Sequence, residues 1–106
     1  MRRKLVYRPD ALVDLNETKS YTLRTWGDAQ ARRYVAALVA DINALRASAL
    51  RYPLYDEVYP ALRRKRSGQH HIYCLAFKDR VEVLNVIHVQ RDPGLHLKGE
   101  TWSDTA

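Results

Sequence analysis

Residues 27–49, GDAQARRYVAALVADINALRASA, decide the fold. Ala31, Tyr34, Val35, Leu38, Ile42, Leu45 and Ala49 recur at the three-and-four spacing that places them on one stripe of a helix, in a segment rich in strong helix formers. Gly27 reads as the stop of a preceding helix, and Asp28 as the cap that accepts from the free N–H groups opening this one. An apolar stripe of this length needs a facing layer, so the rest of the chain is read for what covers it.

Upstream, Lys4-Leu5-Val6-Tyr7 is a short β-prone run, and Pro9 suits the first turn of a helix better than a strand. From there Ala11, Leu12, Leu15, Thr18, Thr22, Leu23 and Trp26 project to one side, interrupted by Lys19. Asp10, Glu17, Ser20 and Arg24 project to the other. The short Gly27-Asp28 link predicts that the two helices fold back as an antiparallel hairpin.

Downstream the period changes. Arg51 to Pro60, with two prolines, reads as a loop, and Ala61-Leu62-Arg63-Arg64 as a short strand. Ser67-Gly68 breaks the chain, His70 to Phe77 reads as a strand, Lys78-Asp79 as a turn, and Arg80 to His88 as a central strand that becomes nearly continuously apolar. Asp92-Pro93-Gly94 ends it, followed by one helical turn at Leu95-His96-Leu97 and a polar tail over 98–106. The expected class is α+β, with an N-terminal strand and a two-helix antiparallel hairpin packed on a small, mainly antiparallel sheet in the order β-α-α-β-β-β. One domain over 1–97 accounts for the length.

With 18 Lys and Arg against 12 Asp and Glu, the formal net charge is +6. That balance favours polyanionic or acidic partners, although solubility alone also explains it. Cys74 is the sole cysteine, which fits a reducing compartment, and the apolar run behind Met1-Arg2-Arg3-Lys4 ends at Tyr7, too short for an export signal or a membrane span. A cytoplasmic location without membrane association is expected.

The densest charge is Arg63-Arg64-Lys65-Arg66, followed by His70 and His71. In a strand, Arg63 and Lys65 point to one face and Arg64 and Arg66 to the other, giving each face donors suited to carboxylate or phosphate. A charged edge strand that discourages aggregation reads the same residues equally well. His88, Arg91 and Asp92, at the end of the last strand, are expected beside the basic strand. Asp92 could instead cap the turn at Pro93, and His88 could be a hydrogen-bonded strand end. The spacings of His70, His71, Cys74, His88 and His96 match no zinc signature, and no glycine-rich phosphate loop or dinucleotide fingerprint is present. No metal, cofactor or catalytic residue is expected. Tyr52, Tyr55 and Tyr59 either pack on the sheet or face a partner.

Ala11 with Asp14-Leu15, Tyr21 with Trp26-Gly27, Ala31 and Tyr34, Pro53, Leu62-Arg63, His71-Ile72-Tyr73, and Ile87-His88 with Arg91-Asp92 occur in an order that resembles the ParE branch of the RelE/ParE toxin superfamily. The resemblance runs from about Leu5 to Leu97. It implies a type II toxin that inhibits DNA gyrase by binding rather than by turnover. It also implies a hetero-oligomer with a cognate ParD-like, ribbon-helix-helix antitoxin whose C-terminal segment wraps the toxin. The sibling branch, resembling RelE, cuts messenger RNA on the ribosome; there an aliphatic residue and a tyrosine usually follow the final arginine, where this chain has Asp92-Pro93. A non-toxic antitoxin-binding module is the third reading. Tyr55 departs from the ParE pattern, which commonly has glycine after the loop proline. The residues expected to bind target or antitoxin are Arg63, Arg64, Arg66, His70, His88, Arg91 and Asp92.

Overall fold

The computed structural model describes residues 2–91. Asp92, the stop at Pro93-Gly94, the expected helical turn at 95–97 and the tail from 98 lie outside the described residues. β1 (Lys4–Tyr7) leads directly into α1 (Pro9–Trp26), with Pro9 in the first turn, where its missing N–H costs nothing. Gly27, at φ 89°, closes α1 by donating its N–H to Leu23 O, and its own carbonyl accepts from Ala31 N to open α2 (Asp28–Ser48). Asp28 therefore does not cap. It is the first helical residue and ion-pairs with Arg32 one turn on, because glycine already supplies the capping geometry.

After one 3-10 turn (Ala49–Arg51) and an irregular loop come β2 (Arg63–Ser67), β3 (His70–Ala76) and β4 (Arg80–His88). The sheet order is β1-β4-β3-β2. β2, β3 and β4 are antiparallel neighbours, and β1 adds a parallel edge on β4. The first and last strands thus meet, which puts the most apolar strand, β4, inside the sheet.

The helix hairpin covers one face, where Leu38, Ile42 and Leu45 of α2 pack with Ile72, Cys74, Val81, Val83 and Val86. The other face carries Tyr73, Leu84 and Ile87, and loop residues Tyr55, Val58, Tyr59 and Leu62 lie over it. The aromatic loop is therefore a lid on the sheet. Its end is tight: Ala61 sits at φ 65°, a left-handed conformation costing roughly 1–2 kcal/mol for a residue with a Cβ, and its N–H donates to Asp56 Oδ1 at 2.9 Å. That turn delays the strand expected from Ala61 until Arg63.

α1 matches the sequence reading in part: Ala11, Thr18 and Thr22 are buried as expected and Leu15 packs against the core. Its core side is Ala11, Asp14, Thr18 and Thr22, while Leu12, Leu23 and Trp26 are exposed. The cause lies in β4, whose register with β3 slips between Tyr73 and Cys74, so that one extra residue interrupts the ladder. The Asp14 carboxylate fills the gap, accepting from Val86 N at 2.9 Å and Asn85 Nδ2 at 3.0 Å. Small and polar side chains let the helix approach this bulge, which leucines would hold off.

Candidate functional site

The basic strand divides its four cations by function. Lys65 is buried and donates from Nζ to Asp41 O at 2.8 Å, while Ser67 Oγ donates to the Asp41 carboxylate at 2.6 Å. Arg63 also turns to the helix side, where Nη1 donates to Tyr52 O at 2.7 Å and to Leu50 O at 3.4 Å. Lys65 thereby anchors β2 to the middle of α2, and Arg63 anchors it to the 3-10 turn and the loop that follows. The sequence puts Arg63 among the partner-binding residues; its half-buried guanidinium already donates to two backbone carbonyls of the fold.

Arg64 and Arg66 face the other way. The Arg64 guanidinium lies 4.3 Å from the Tyr55 ring centroid and hydrogen-bonds with Tyr73, its cross-strand partner. Arg66 is exposed, its Nε donating to Gly68 O at 2.9 Å. His71 is the cross-strand partner of Arg66, on the same face. Burial first, and then the guanidiniums of Arg64 and Arg66, hold the His71 imidazole below its ordinary pKa. Neither arginine has a carboxylate partner among the described residues.

His70 and His88 are register partners on β3 and β4, with ring centroids 5.4 Å apart, and they turn to the helix side. With Arg91 they line a cleft of about 790 Å³ whose other wall is α1, through Glu17, Thr18, Tyr21 and Arg24. β3 separates this cleft from β2, so the His88–Arg91 segment does not lie beside the basic strand as expected. The sheet order, which depends on β4 entering between β1 and β3, sets that distance.

Hydrogen bonds hold both imidazoles in place. Gln69 N donates to Tyr34 Oη at 2.9 Å, and the same oxygen hydrogen-bonds with His70 Nδ1 at 2.7 Å. His70 Nε2 lies 3.4 Å from Thr18 Oγ1. Burial, followed by the fields of His88, Arg91 and His71, lowers the His70 pKa to about 4, so the ring is neutral near pH 7. His88 Nδ1 accepts from Gln90 N at 3.1 Å, so its hydrogen is on Nε2. His70 thus has both nitrogens engaged, and His88 has one left to offer.

The alternation along β2 is readable in the sequence, and so are His70 and His88 as single site residues, but not their pairing; Thr18 and Tyr34 read there as core-stripe residues, and the role of Asp14 is not readable. The one trace of it is Asp14, Thr18 and Thr22 at four-residue spacing, a polar stripe beside the apolar one. Cys74 is buried and its thiol is pushed up to about 11 by burial, as a structural cysteine's would be. No group of three metal-binding side chains exists among the described residues.

This arrangement has counterparts of known structure. A chain from the chromosomal ParDE TA system of P. aeruginosa superposes with a TM-score of 0.71 at 15% identity, over 82% of this chain and 96% of that one. A chain of the toxin–antitoxin complex RelBE2 from Mycobacterium tuberculosis gives 0.65 at 17% identity, over 83% of this chain and 99% of that one. At these identities the likeness is one of fold. In sequence, Toxin ParE of Escherichia coli is 41% identical over 66 residues, an alignment spanning 62% of this chain and 64% of that protein, just under two thirds of its length. The family described as the ParE toxin of the type II toxin-antitoxin system, parDE, matches residues 5–93, which takes in β1 from its second residue, both helices, the whole basic strand and the histidine pair. With a match over so much of its length, the chain belongs to the ParE toxin family.

Proposed function

We propose that this chain is a toxin that binds and inhibits DNA gyrase in the cytoplasm and is neutralised by a ParD-like antitoxin. Family membership carries the toxin reading, and both structural neighbours come from toxin–antitoxin assemblies. The observation that carries action by binding is the outer face of the sheet, where Arg64 and Arg66 stand without carboxylate partners among the described residues and are available for an external anion. The working surface is Arg64 and Arg66 on the outer face of the sheet, separate from the cleft rim at His88 and Arg91. Arg63 and His70 position it from behind. No helix among the described residues is long and apolar enough to cross a membrane.

The endoribonuclease reading draws on His88 and Arg91 in one cleft, since cleavage at a 2′ hydroxyl needs a base, an acid and a cation. The engagement of both His70 nitrogens counts against it, because a ring hydrogen-bonded at Tyr34 and Thr18 must break one of these contacts to move a proton. Purified protein separates the readings. Inhibition of gyrase supercoiling with translated messages left intact is the expected result. Mapped cuts in ribosome-bound messages with supercoiling unaffected would replace it with the nuclease. Tight antitoxin binding with neither activity would leave a binding module.

A further inference from the structure

The outer face of the sheet differs from an ordinary protein-docking surface in what it lacks. Leu62, Tyr73, Leu84 and Ile87 are at most 2% exposed, closed over by the loop that carries Tyr55, Val58 and Tyr59. A protein partner draws most of its affinity from apolar anchors in desolvated pockets, and none of these four side chains is open to one. The edge of β2 is also partly closed, because Arg64 N already donates to Pro53 O at 3.2 Å. What remains is polar: Arg64, Arg66 and, opposite Arg66 across the ladder, His71.

We propose that Arg64, Arg66 and His71 form a site for the phosphodiester backbone of duplex DNA. The inference rests on the reading of Arg64 and Arg66 as docking residues and gives that surface its ligand chemistry. Two residues apart on one strand face, the guanidinium stems start about 6.6 Å from each other. Phosphates on one strand of a duplex advance about 3.4 Å along the axis per nucleotide, so the two arginines reach neighbouring or next-neighbouring phosphates. Each is held before binding, Arg64 by the Tyr55 ring and Tyr73, and the exposed Arg66 by Gly68 O through Nε rather than through its terminal nitrogens. Arg64 lies over the Tyr55 ring, which takes that ring from a base that would stack on it in a single-strand site. Contacts limited to phosphates fix position without reading sequence.

Fluorescence anisotropy with a short blunt duplex at low salt, followed by a salt titration, tests this. The full chain binds the duplex more tightly than a single strand of the same length. The Arg64→Gln, Arg66→Gln double variant binds about tenfold more weakly, and its slope of log K against log salt falls by about 1.8, at roughly 0.9 for each phosphate left unneutralised. An Arg33→Gln, Lys78→Gln control removes the same charge from exposed positions elsewhere and leaves affinity within about twofold. Arg66→Glu alone gives the same direction should the double variant fold poorly, and duplex addition raises the His71 pKa by NMR. Three results would each overturn the proposal: an unchanged slope in both variants, tighter binding of single strands, or binding of polyglutamate with no binding of the duplex. Gyrase is absent from the assay, so failure to inhibit supercoiling would sink the gyrase reading and leave this site standing.

Discussion

Asp14 is the side chain on which the packing of α1 turns. It answers the interrupted β4 ladder with a carboxylate that accepts from Val86 N and Asn85 Nδ2. Asp14→Ala strands both donors and is expected to cost about 2–4 kcal/mol in urea denaturation, while Asp14→Asn, which keeps one acceptor, costs less. A loss under about 0.5 kcal/mol in the alanine variant would mean that α1 docks by shape alone. His70 makes a second prediction at this scale. Its folded pKa, about 4, lies below the ordinary 6.5, so between those values the unfolded chain binds the proton that the folded chain refuses. Its contribution is therefore complete above pH 6.5 and is lost as pH falls toward 4. Thermal melts across that window should slope less steeply for His70→Gln than for the unaltered chain; parallel slopes would show that His70 titrates normally. Neither role is legible in sequence, since burial of a lone Asp or His depends on a bulge and a tyrosine from distant segments.

At the scale of elements, α2 is readable because everything it buries is apolar and evenly spaced, from Ala31 to Leu45. α1 is readable as a helix but only in part in its orientation. Its largest apolar side chains are outside, Trp26 being 61% exposed, and apart from Ala11 its buried residues are polar. The consequence can be measured. Trp26→Ala should change stability by about 0.5 kcal/mol or less, whereas Leu38→Ala, buried in the main core, should cost about 2–5 kcal/mol. Comparable losses at the two positions would place Trp26 in the core and return α1 to the orientation expected from its leucines. β2 shows the same limit. Alternation predicts which cations share a face, but it does not reveal that Lys65 and Arg63 find backbone carbonyls in α2 and in the turn and loop after it, while Arg64 and Arg66 stay on the outer face.

For the whole molecule, the helix-backed sheet separates two kinds of surface. The helix side holds the cleft with His70, His88 and Arg91, near neutral because Glu17 and Asp14 share it. The outer side holds the cations without carboxylate partners among the described residues. The basic run and the terminal histidine therefore do not merge into one continuous crescent, because β3 stands between β2 and β4 and the alternation along β2 sends its cations to both faces. Legibility of the site stops at the same point: residue types and their order identify the family, but strand order decides which of them meet. The most direct measurement is growth arrest on induced expression without antitoxin, comparing the unaltered chain with an Arg64→Gln, Arg66→Glu variant whose melting temperature is shown to be close to it. The account predicts that arrest is lost in the variant while the fold persists. Unimpaired arrest by a folded variant would contradict it and move the working surface to the histidine cleft.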